Sequence, residues 1–518
     1  MYNSVQLREE HWCFQRYIWQ NELDKRKLPE EKVIKTLIYG VKSSGNQSER
    51  GLRETALKSA DEFPEVNQTV QKDIYVDDCL SGERSVSKAL EKADQLELVL
   101  NRGGFSLKGV TFSGMDPPTM LSNDESSINV AGMKWYPKKD LLSLDISELN
   151  FAKKNRGKKP SQHQNVIPTR LTRRHCVSKV AEIFDLTGKI TPITATMKTD
   201  LHNLVERGLN WDDVLPDELR PIWISHFEMM KEIGNLKFHR TIIPNDAVNL
   251  DINTIDTADA SNKIACSAIY ARILRKCGSY SCQLIFSRSK IISDDLSQPR
   301  AELLAATMNA HTGEIVRRSL QCSHKGKMKL TDSQVVLHWI NNNQKPVKQW
   351  VRNRVVEILR FTDPSEWFFV SSQDMIADLG TRRVDNLNLV SQDSSWINSF
   401  DWMKKNQEEF PTKSIQQIKL DNEDLTAMQK ETILKFHNHG INDTNSESAA
   451  EDKHAYLMSE LCDQNEMVKD ESKNIPKEVG DCYSFSNYLL DPNSRRFGTV
   501  FSIMAFVYKF IRNLKRTA

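Results

Sequence analysis

Between residues 252 and 385, strand-like runs alternate with helix-like runs, and acidic residues stand where one element gives way to the next. The stretch "TADASNKIACSAIYARI" places Asp259 at the end of one strand and leads into a second, alternating strand. In "SQPRAELLAATMNAHTGEIVRRSL" a proline precedes the first turn, and Leu and Ala recur at helical spacing, which predicts a helix with Glu302 near its start. This order of elements predicts an α/β domain.

Two further acids continue the series. "KMKLTDSQVVLHWI" predicts a strand that ends at Asp332 and is followed by a helix, and "EWFFVSSQDMIADLGTRR" predicts a strand that runs into a helix carrying Asp378. A single acid at such a position is more often a surface or capping group. Asp256 is the main alternative to Asp259, although the small-residue strand that follows Asp-Ala-Ser favours Asp259.

The stretch "DIYVDDCLSG" places two adjacent carboxylates, Asp77 and Asp78, after a run of strand-forming residues. Ser81 and Gly82 supply a turn, so a hairpin is predicted. Side by side, the two carboxylates repel each other, and a divalent cation held by hard oxygen ligands would offset that repulsion. A solvated hairpin tip without a metal is the alternative interpretation.

The charges of this 518-residue chain are segregated, although 71 basic and 69 acidic residues nearly cancel. Residues 152–175 contain eight Lys or Arg and no acid, including Lys158, Lys159, Arg173 and Arg174. This run predicts contacts with a polyanion, and a solvated loop is its alternative. Residues 421–472 contain thirteen acids and four Lys, which is typical of a solvated linker.

Cysteine usage and the terminal segments indicate an intracellular protein. Nine scattered Cys without close pairs do not form a disulfide framework. The N-terminus lacks the apolar run of a secretory signal, and "VFSIMAFVYKFI" at 500–511 is too short to cross a bilayer. We therefore expect no membrane partner, no secretion, and a location in a cytoplasmic particle or the nucleus.

Five motifs in a fixed order carry a resemblance to a known family. "MYNSVQL", "YGVKSSGNQ", "YVDDCLSGE", "GGFSLKGVTFSG" and "AGMKWYPKKD" together resemble the Pol polyprotein of BEL/Pao retrotransposons. The resemblance implies that Asp77 and Asp78 belong to the metal-binding motif of a reverse transcriptase palm. It further implies roles for Tyr2 beside the sugar of the incoming nucleotide, for Gly40 to Gln47 as a template and nucleotide platform, for Lys108 near the triphosphate, and for Gly132 to Trp135 as the primer-grip hairpin.

The first palm motif of this family has an aspartate about five residues before the aromatic that corresponds to Tyr2, and this chain begins one residue before Tyr2. Two-metal phosphoryl transfer needs carboxylates from both sides of the ions. We therefore expect a truncated palm without DNA polymerase activity.

The series Asp259, Glu302, Asp332 and Asp378 resembles the ribonuclease H domain of the same elements, although "SQDMIADLG" departs from the family's Asn-Pro-Ala-Asp. Four converging acids can hold two Mg²⁺ or Mn²⁺ ions about 4 Å apart. The resemblance implies hydrolysis of the RNA strand of RNA–DNA hybrids. It also implies template-primer nucleic acid as a partner, with other Pol and Gag products of the element as further candidates.

The expected fold is multidomain α/β and α+β, with a mixed sheet in the ribonuclease H-like part. The predicted divisions are a partial palm (1–140), a thumb and connection (141–225), a ribonuclease H-like domain (226–390), a partly disordered acidic linker (391–483) and an integrase-linked segment (484–518).

Three alternatives stay open at this point. The first is a non-enzymatic remnant that only binds nucleic acid. The second is an aspartic peptidase, since "FDLTG" at 184–188 resembles an Asp-Thr-Gly loop interrupted by Leu186, and the third is a zinc site at "FHNHG". Trp135 and Trp350 are plausible nucleic-acid contacts, although aromatics at such spacings are more often core residues.

Overall fold

The computed structural model of the chain covers most of its first 432 residues. Lys158, Lys159, the "FHNHG" motif and the predicted segment 484–518 lie outside the described residues. None of the helices described is both long and apolar enough to cross a membrane. The described residues are 1–20, 28–75, 77–83, 85–116, 127–146, 149, 151, 166–249, 251–320, 324–342 and 346–432.

The strands of the described residues form four sheets, with two, six, two and four strands. In chain order the strands are β1 (Arg16–Trp19), β2 (Glu30–Val33), β3 (Ile74–Tyr75), β4 (Asp78–Cys79), β5 (Ile128–Val130), β6 (Met133–Tyr136), β7 (Leu141–Leu144), β8 (Phe238–His239), β9 (Ile252–Ala260), β10 (Ile264–Leu274), β11 (Tyr280–Ile291), β12 (His324–Thr331), β13 (Trp367–Val370) and β14 (Thr412–Lys413).

Local sequence signals account for many of the helix starts. Proline occupies the first turn of the second, fifth and sixth helices, and serine side chains cap the third and eighth. In chain order the α-helices are α1 (Ser44–Lys58), α2 (Pro64–Asp73), α3 (Val86–Arg102), α4 (Arg173–Ala181), α5 (Thr191–Glu206), α6 (Arg220–Ile233), α7 (Gln298–Leu320), α8 (Gln334–Asn341), α9 (Gln349–Leu359), α10 (Ser395–Asn398) and α11 (Asn422–Glu431).

The six-stranded sheet has the order β11-β10-β9-β12-β13-β14. Strands β9, β10 and β11 form an antiparallel meander, whereas β12 runs parallel to β9, and β13 runs parallel to β12. Strand β14 is antiparallel to β13 at the far edge. The predicted α/β domain with a mixed sheet is confirmed by this arrangement.

Both faces of this sheet are covered, which explains why β9 and β10 are almost entirely buried. Ser267 on β10 points towards α7, where its hydroxyl lies 3.0 Å from the hydroxyl of Thr312. The preceding residue, Cys266, points to the opposite face and lies under the 3₁₀ turn Ile376–Gly380, since a Cβ on Gly380 would overlap Cys266 Sγ.

Helix α5 covers the same face as this 3₁₀ turn, although residues 141–225 were predicted to be a separate thumb and connection. Ser287 on β11 hydrogen-bonds Thr191 at 2.7 Å, and Lys198 Nζ donates to Ser289 Oγ at 3.3 Å. Helices α4 to α6 also share one hydrophobic core with β9 to β13. These helices are therefore part of the sheet domain, because its second face would otherwise be exposed.

The predicted end of the domain at residue 390 also differs from the structure. Strand β14 continues the sheet, and Trp396 and Met403 are buried in its core. Helix α11 packs against α8. Residues 391–432 are therefore ordered parts of this domain and not the start of an acidic linker.

The N-terminal region has a small core of its own, formed by α1, α2, α3 and the hairpin β3–β4. Strands β5 to β7 form a separate antiparallel sheet, which β8 joins at its edge. Because β8 lies beyond residue 226, the predicted start of the ribonuclease H-like domain, this sheet draws on both sides of that boundary.

Candidate active site

Three of the four predicted acids lie at the end of the six-stranded sheet where the inner strands β9 and β12 terminate. Asp259 is the penultimate residue of β9, and Asp332 directly follows the end of β12. The two strands are parallel neighbours with Thr331 aligned to Ala258, so both acids lie at the carboxyl ends of their strands. Glu302 lies near the start of α7, and the charges of Asp259 and Asp332 both act on it.

The fourth acid, Asp378, reaches the same place from a different kind of element. It lies in the 3₁₀ turn Ile376–Gly380, where an α-helix was predicted. Its charge acts on both Asp259 and Asp332, and its Oδ2 is 2.5 Å from Arg382 Nη2. All four acids therefore share one electrostatic environment.

Two of these carboxylates are held by hydroxyl groups that no sequence pattern had indicated. Thr381 Oγ1 donates to Asp259 Oδ2 at 2.5 Å, and Ser372 Oγ donates to Asp332 Oδ2 at 2.8 Å. Both hydroxyls belong to the segment around Asp378. Ser372 and Thr381 are the first and last residues of "SQDMIADLGT", and this position is the signal in the sequence that could have indicated them.

Glu302 is held by one side chain from its own helix and by one from the start of α8. Gln298 Nε2 donates to Glu302 Oε1 at 3.1 Å and to the carbonyl oxygen of Ala260 at 2.6 Å. Ser333, which caps α8, also hydrogen-bonds the Glu302 carboxylate. Gln298 thus joins the start of α7 to the end of β9.

Burial and mutual repulsion raise the pKa values in this cluster. Burial, followed by the charge of Asp332, raises the pKa of Asp259 to about 6. Burial raises the pKa of Glu302 to about 7, against hydrogen bonds from Ser333 and Gln298 that lower it. Burial also raises the pKa of Asp332. A group of acids that resists full ionisation is one that a cation would stabilise.

The carboxylate oxygens of these four acids are of the ligand type that Mg²⁺ and Mn²⁺ prefer. Asp332 Oδ1 is buried and has no hydrogen-bond partner among the described residues, so this carboxylate keeps one oxygen that is available to a metal ion. However, no three of the four acids bring ligand atoms within 4.8 Å of one another in the part of the chain that is described. The four acids therefore interact through their charges, but their ligand atoms are not gathered around one point.

Asp256, the alternative to Asp259, has a structural role. Its Oδ2 lies 2.6 Å from Lys329 Nζ in a fully buried ion pair, and Lys329 Nζ also donates to Asn309 Oδ1 at 3.1 Å. Gly313 on α7 lies directly over this pair, and a Cβ there would be 2.5 Å from Asp256 Oδ2. Asp256 therefore lies on the α7 face, away from the acid cluster.

The polymerase-type pair lies on a different sheet. Asp77 and Asp78 are in the tip and second strand of the hairpin β3–β4. Burial and the charge of Asp77 raise the pKa of Asp78, whereas a hydrogen bond from the backbone of Ala131 and the charge of Lys108 lower it. The structure thus brings Lys108 and the hairpin that contains Gly132 close to Asp78.

The remaining predicted nucleotide-binding residues lie near one another. The ring of Tyr2 is 4.5 Å from the ring of Tyr39, and a Cβ on Gly45 would be 3.6 Å from the Tyr2 hydroxyl. Gly40 has a φ of +90°, a conformation that favours glycine. Gln47 Nε2 donates to Ser43 Oγ at 3.1 Å within the first turn of α1.

Trp135 was predicted as a nucleic-acid contact and is instead a core residue. It is 6 % exposed, and its indole N–H donates to Asp140 Oδ1 at 3.0 Å. Arg240 Nε binds the same carboxylate at 2.6 Å. The indole N–H therefore adds a hydrogen bond to the buried Asp140–Arg240 ion pair. Because the ring is buried, a base could not stack on it.

Arg173, Arg174 and Trp350 are more accessible than Trp135. Both arginines lie over the ring of Trp211, at 4.9 and 5.5 Å, and Arg174 forms an exposed bidentate pair with Asp212. Arg354 covers the face of Trp350 at 3.6 Å. An exposed ion pair can exchange its acid for a phosphate at little cost, so Arg174 is the strongest of these candidates. Arg173 is part-buried, and its Nη1 donates to the carbonyl oxygen of Leu209 at 2.7 Å.

The "FDLTG" motif has a structural explanation. The carboxylate of Asp185 accepts hydrogen bonds from the backbone N–H groups of Lys189 and Ile190, at 2.9 and 2.8 Å, just before α5. Burial raises its pKa against these bonds. Asp185 thus holds the turn that leads into α5, which is a role unrelated to peptide hydrolysis.

The strand order 3-2-1-4-5 of β9 to β13 and the acids at its edge define a ribonuclease H-like domain. Residues 172–333 match the family described as "Pao retrotransposon-like RNaseH-like domain", which confirms the predicted BEL/Pao resemblance over this part of the chain. The match begins at α4, which agrees with the inclusion of α4 to α6 in this domain, and it ends after Asp332.

Comparison with other proteins adds only distant similarities. No curated protein matches the chain. A foamy viral protease-reverse transcriptase in complex with double-stranded DNA is 13% identical with a TM-score of 0.41, over 71% of this chain and 54% of that chain. The chain thus spans about half of that protein. The N-terminal RNase H domain of rv2228c from Mycobacterium tuberculosis, fused to maltose binding protein, is 12% identical with a TM-score of 0.18, over 24% of this chain and 86% of that chain.

Proposed function

We propose that the sheet domain is a metal-dependent nuclease that hydrolyses the RNA strand of RNA–DNA hybrids. The observation that carries this proposal is the position of Asp259, Glu302 and Asp332 at one sheet edge, with the buried Asp332 Oδ1 unpaired among the described residues. Bringing four acids together costs free energy because their charges repel, and a bound cation would offset that repulsion. The family match over residues 172–333 supports the same reading.

Asp259, Glu302, Asp332 and Asp378 are the residues that would hold the metal. Two bound Mg²⁺ ions would activate a water molecule and stabilise the leaving 3′ oxygen. The contribution of the chain itself is orientation, since Thr381 and Ser372 each fix one oxygen of a carboxylate. Gln298 and Ser333 hold Glu302 in the same way.

The proposed substrate contact is the basic surface around Trp211. Arg173 and Arg174 supply two cations there, and the neighbouring Lys158 and Lys159 extend the positive run in the sequence. Phosphate contacts of this kind position a duplex and do not read its sequence.

A second function, nucleic-acid binding without catalysis, is favoured by one observation. The acids do not bring three ligand atoms within 4.8 Å among the described residues, so the cluster has to close by side-chain movement before it can hold ions tightly. A domain that has lost this ability would keep the basic surface and bind nucleic acid only.

Cleavage of a labelled RNA–DNA hybrid in Mg²⁺ and in Mn²⁺ distinguishes the two functions. We expect cleavage by the wild type and none of the same strand in an RNA–RNA duplex. Asp332→Asn should abolish cleavage and keep hybrid binding, whereas Asp393→Asn, an exposed acid of the same domain, is the matched control. A folded wild type that binds the hybrid and cleaves nothing in either metal supports the binding function instead.

A further inference from the structure

Four consecutive residues, 381 to 384, connect the acid cluster to helix α5. The first two bind the predicted catalytic acids, and the next two bind α5, which was predicted to belong to a separate connection. The contacts are Thr381 Oγ1 to Asp259 Oδ2 at 2.5 Å, Arg382 Nη2 to Asp378 Oδ2 at 2.5 Å, Arg383 Nη1 to Asp200 Oδ1 at 3.0 Å, and the Val384 N–H to Thr196 Oγ1 at 3.0 Å.

Asp200 is the fixed end of this connection. It is 6 % exposed, and its second oxygen lies 2.7 Å from Nε2 of His226 on α6. Both carboxylate oxygens of Asp200 are therefore used by side chains from other elements. A buried carboxylate with two such partners resists displacement, because losing either one leaves buried charge without compensation.

The second acid that contacts Arg383, Asp385, cannot fix the position of the loop. Asp385 lies 3.2 Å from Arg383 Nε, but its side chain is 74% exposed and follows in the same loop. An exposed pair of neighbouring residues contributes little to stability and fixes nothing outside its own loop. Of the two acids that Arg383 contacts among the described residues, Asp200 is the one that connects the loop to helix α5.

Helix α5 is itself held firmly. Ser287 on β11 binds Thr191 at 2.7 Å, and the indole N–H of Trp396 donates to the Lys189 carbonyl at 3.0 Å. The position of Asp200 is therefore set by the sheet and by the segment after residue 390.

We propose that Asp200 is a positioning residue for the acid cluster, acting through Arg383 on the loop 381–384 so that the Thr381 hydroxyl holds Asp259 in its working orientation. The proposal rests on the nuclease function proposed above. It gives the helices before the sheet a role in hydrolysis that is not contact with substrate, and one mispositioned ligand is enough to slow a reaction of this type.

A double-mutant cycle on the full chain tests the connection. Asp200→Asn and Arg383→Gln should each lower kcat for hybrid cleavage about tenfold with KM within about twofold. In a Thr381→Val background, either change should have almost no further effect, because the connection is already broken at its other end. Asp385→Asn, which removes the exposed partner of the same arginine, is the matched control and should retain wild-type kcat. Additive losses, or a loss in KM alone, would overturn the proposal.

Hydrogen exchange separates failure of this inference from failure of the proposed function. A wild type without cleavage would refute the nuclease, yet the loop would still be testable, since amides 378–384 should exchange faster in Asp200→Asn and Arg383→Gln than in the wild type or Asp385→Asn. If Asp200→Asn does not fold, Arg383→Gln, which alters a half-exposed side chain, carries the test alone. Unchanged protection in Arg383→Gln would show that the loop does not depend on the Arg383–Asp200 pair and would overturn the proposal.

Discussion

Asp256 and Asp259 lie three residues apart on β9 and point to opposite faces of the sheet. Asp256 forms a buried ion pair with Lys329 under α7, whereas Asp259 receives a hydrogen bond from Thr381 and belongs to the acid cluster. The two aspartates should therefore respond in opposite ways to substitution.

Asp256→Ala is expected to destabilise the protein by about 3–5 kcal/mol, because it leaves the Lys329 ammonium buried without its acid. Chemical unfolding measures the loss, with Asp393→Ala as the exposed control. A change of less than about 0.5 kcal/mol, as for an ordinary surface site, would show that this ion pair is not buried in solution.

Asp259→Asn and Asp332→Asn are expected to reduce hybrid cleavage on the order of a hundredfold or more, since each removes a negative ligand. The metal-free protein should be as stable as the wild type or more stable, because the repulsion within the cluster is relieved. Cleavage assays beside melting curves in a chelator test both expectations. A clear fall in melting temperature with unchanged cleavage would make these acids structural.

The raised pKa values predict the direction of a pH effect. Asp259 and Glu302 have pKa values of about 6 and about 7 in the folded protein, above their ordinary values of about 4. Between pH 4 and about pH 7 the folded state binds more protons at Asp259 and Glu302 than the unfolded state does. The free energy of unfolding that these two protonated groups contribute is therefore present at low pH and is lost as the pH rises to about 7.

The wild type should therefore become less stable relative to the double variant Asp259→Asn, Glu302→Gln as the pH rises from 4 to about 7. Urea unfolding at several pH values without divalent cations measures it. Added Mg²⁺ should shrink the difference, and a difference that does not depend on pH would argue against raised pKa values.

Replacement of Lys158, Lys159, Arg173 and Arg174 by Gln is expected to flatten the salt dependence of duplex binding. Each lost phosphate contact removes a slope of roughly 0.9, so the total change is up to about four units. Titration of a labelled duplex at several salt concentrations gives the slope. Arg207→Gln, at an exposed arginine paired with Glu218, is the control, and equal slopes in both variants would assign the run to a solvated loop.

The order of the acids could be predicted from the sequence because each signal is local. The proline and the periodic Leu and Ala of α7 predict where Glu302 stands, and the end of a buried strand predicts Asp259 and Asp332. Parallel strands then bring their carboxyl ends to one edge, so neighbouring acids follow from the pattern. The burial of Trp135 could not be predicted in this way. Its position in the alternating pattern of β6 assigns it to one face of the sheet but does not show whether that face is covered.

The sequence by itself determined the class of fold and predicted the acids of the candidate site, because strand and helix periods and turn residues are local signals within a few residues of each other. It also showed the resemblance that the family match bears out over residues 172–333. Only the tertiary structure decided that α4 to α6 and residues 391–432 complete the domain. It also decided that Asp200, 183 residues before Arg383 in the chain, holds the loop beside the acids. Contacts over such separations depend on which faces are left to cover once the sheet has formed, and that is a property of the packed layers as a whole.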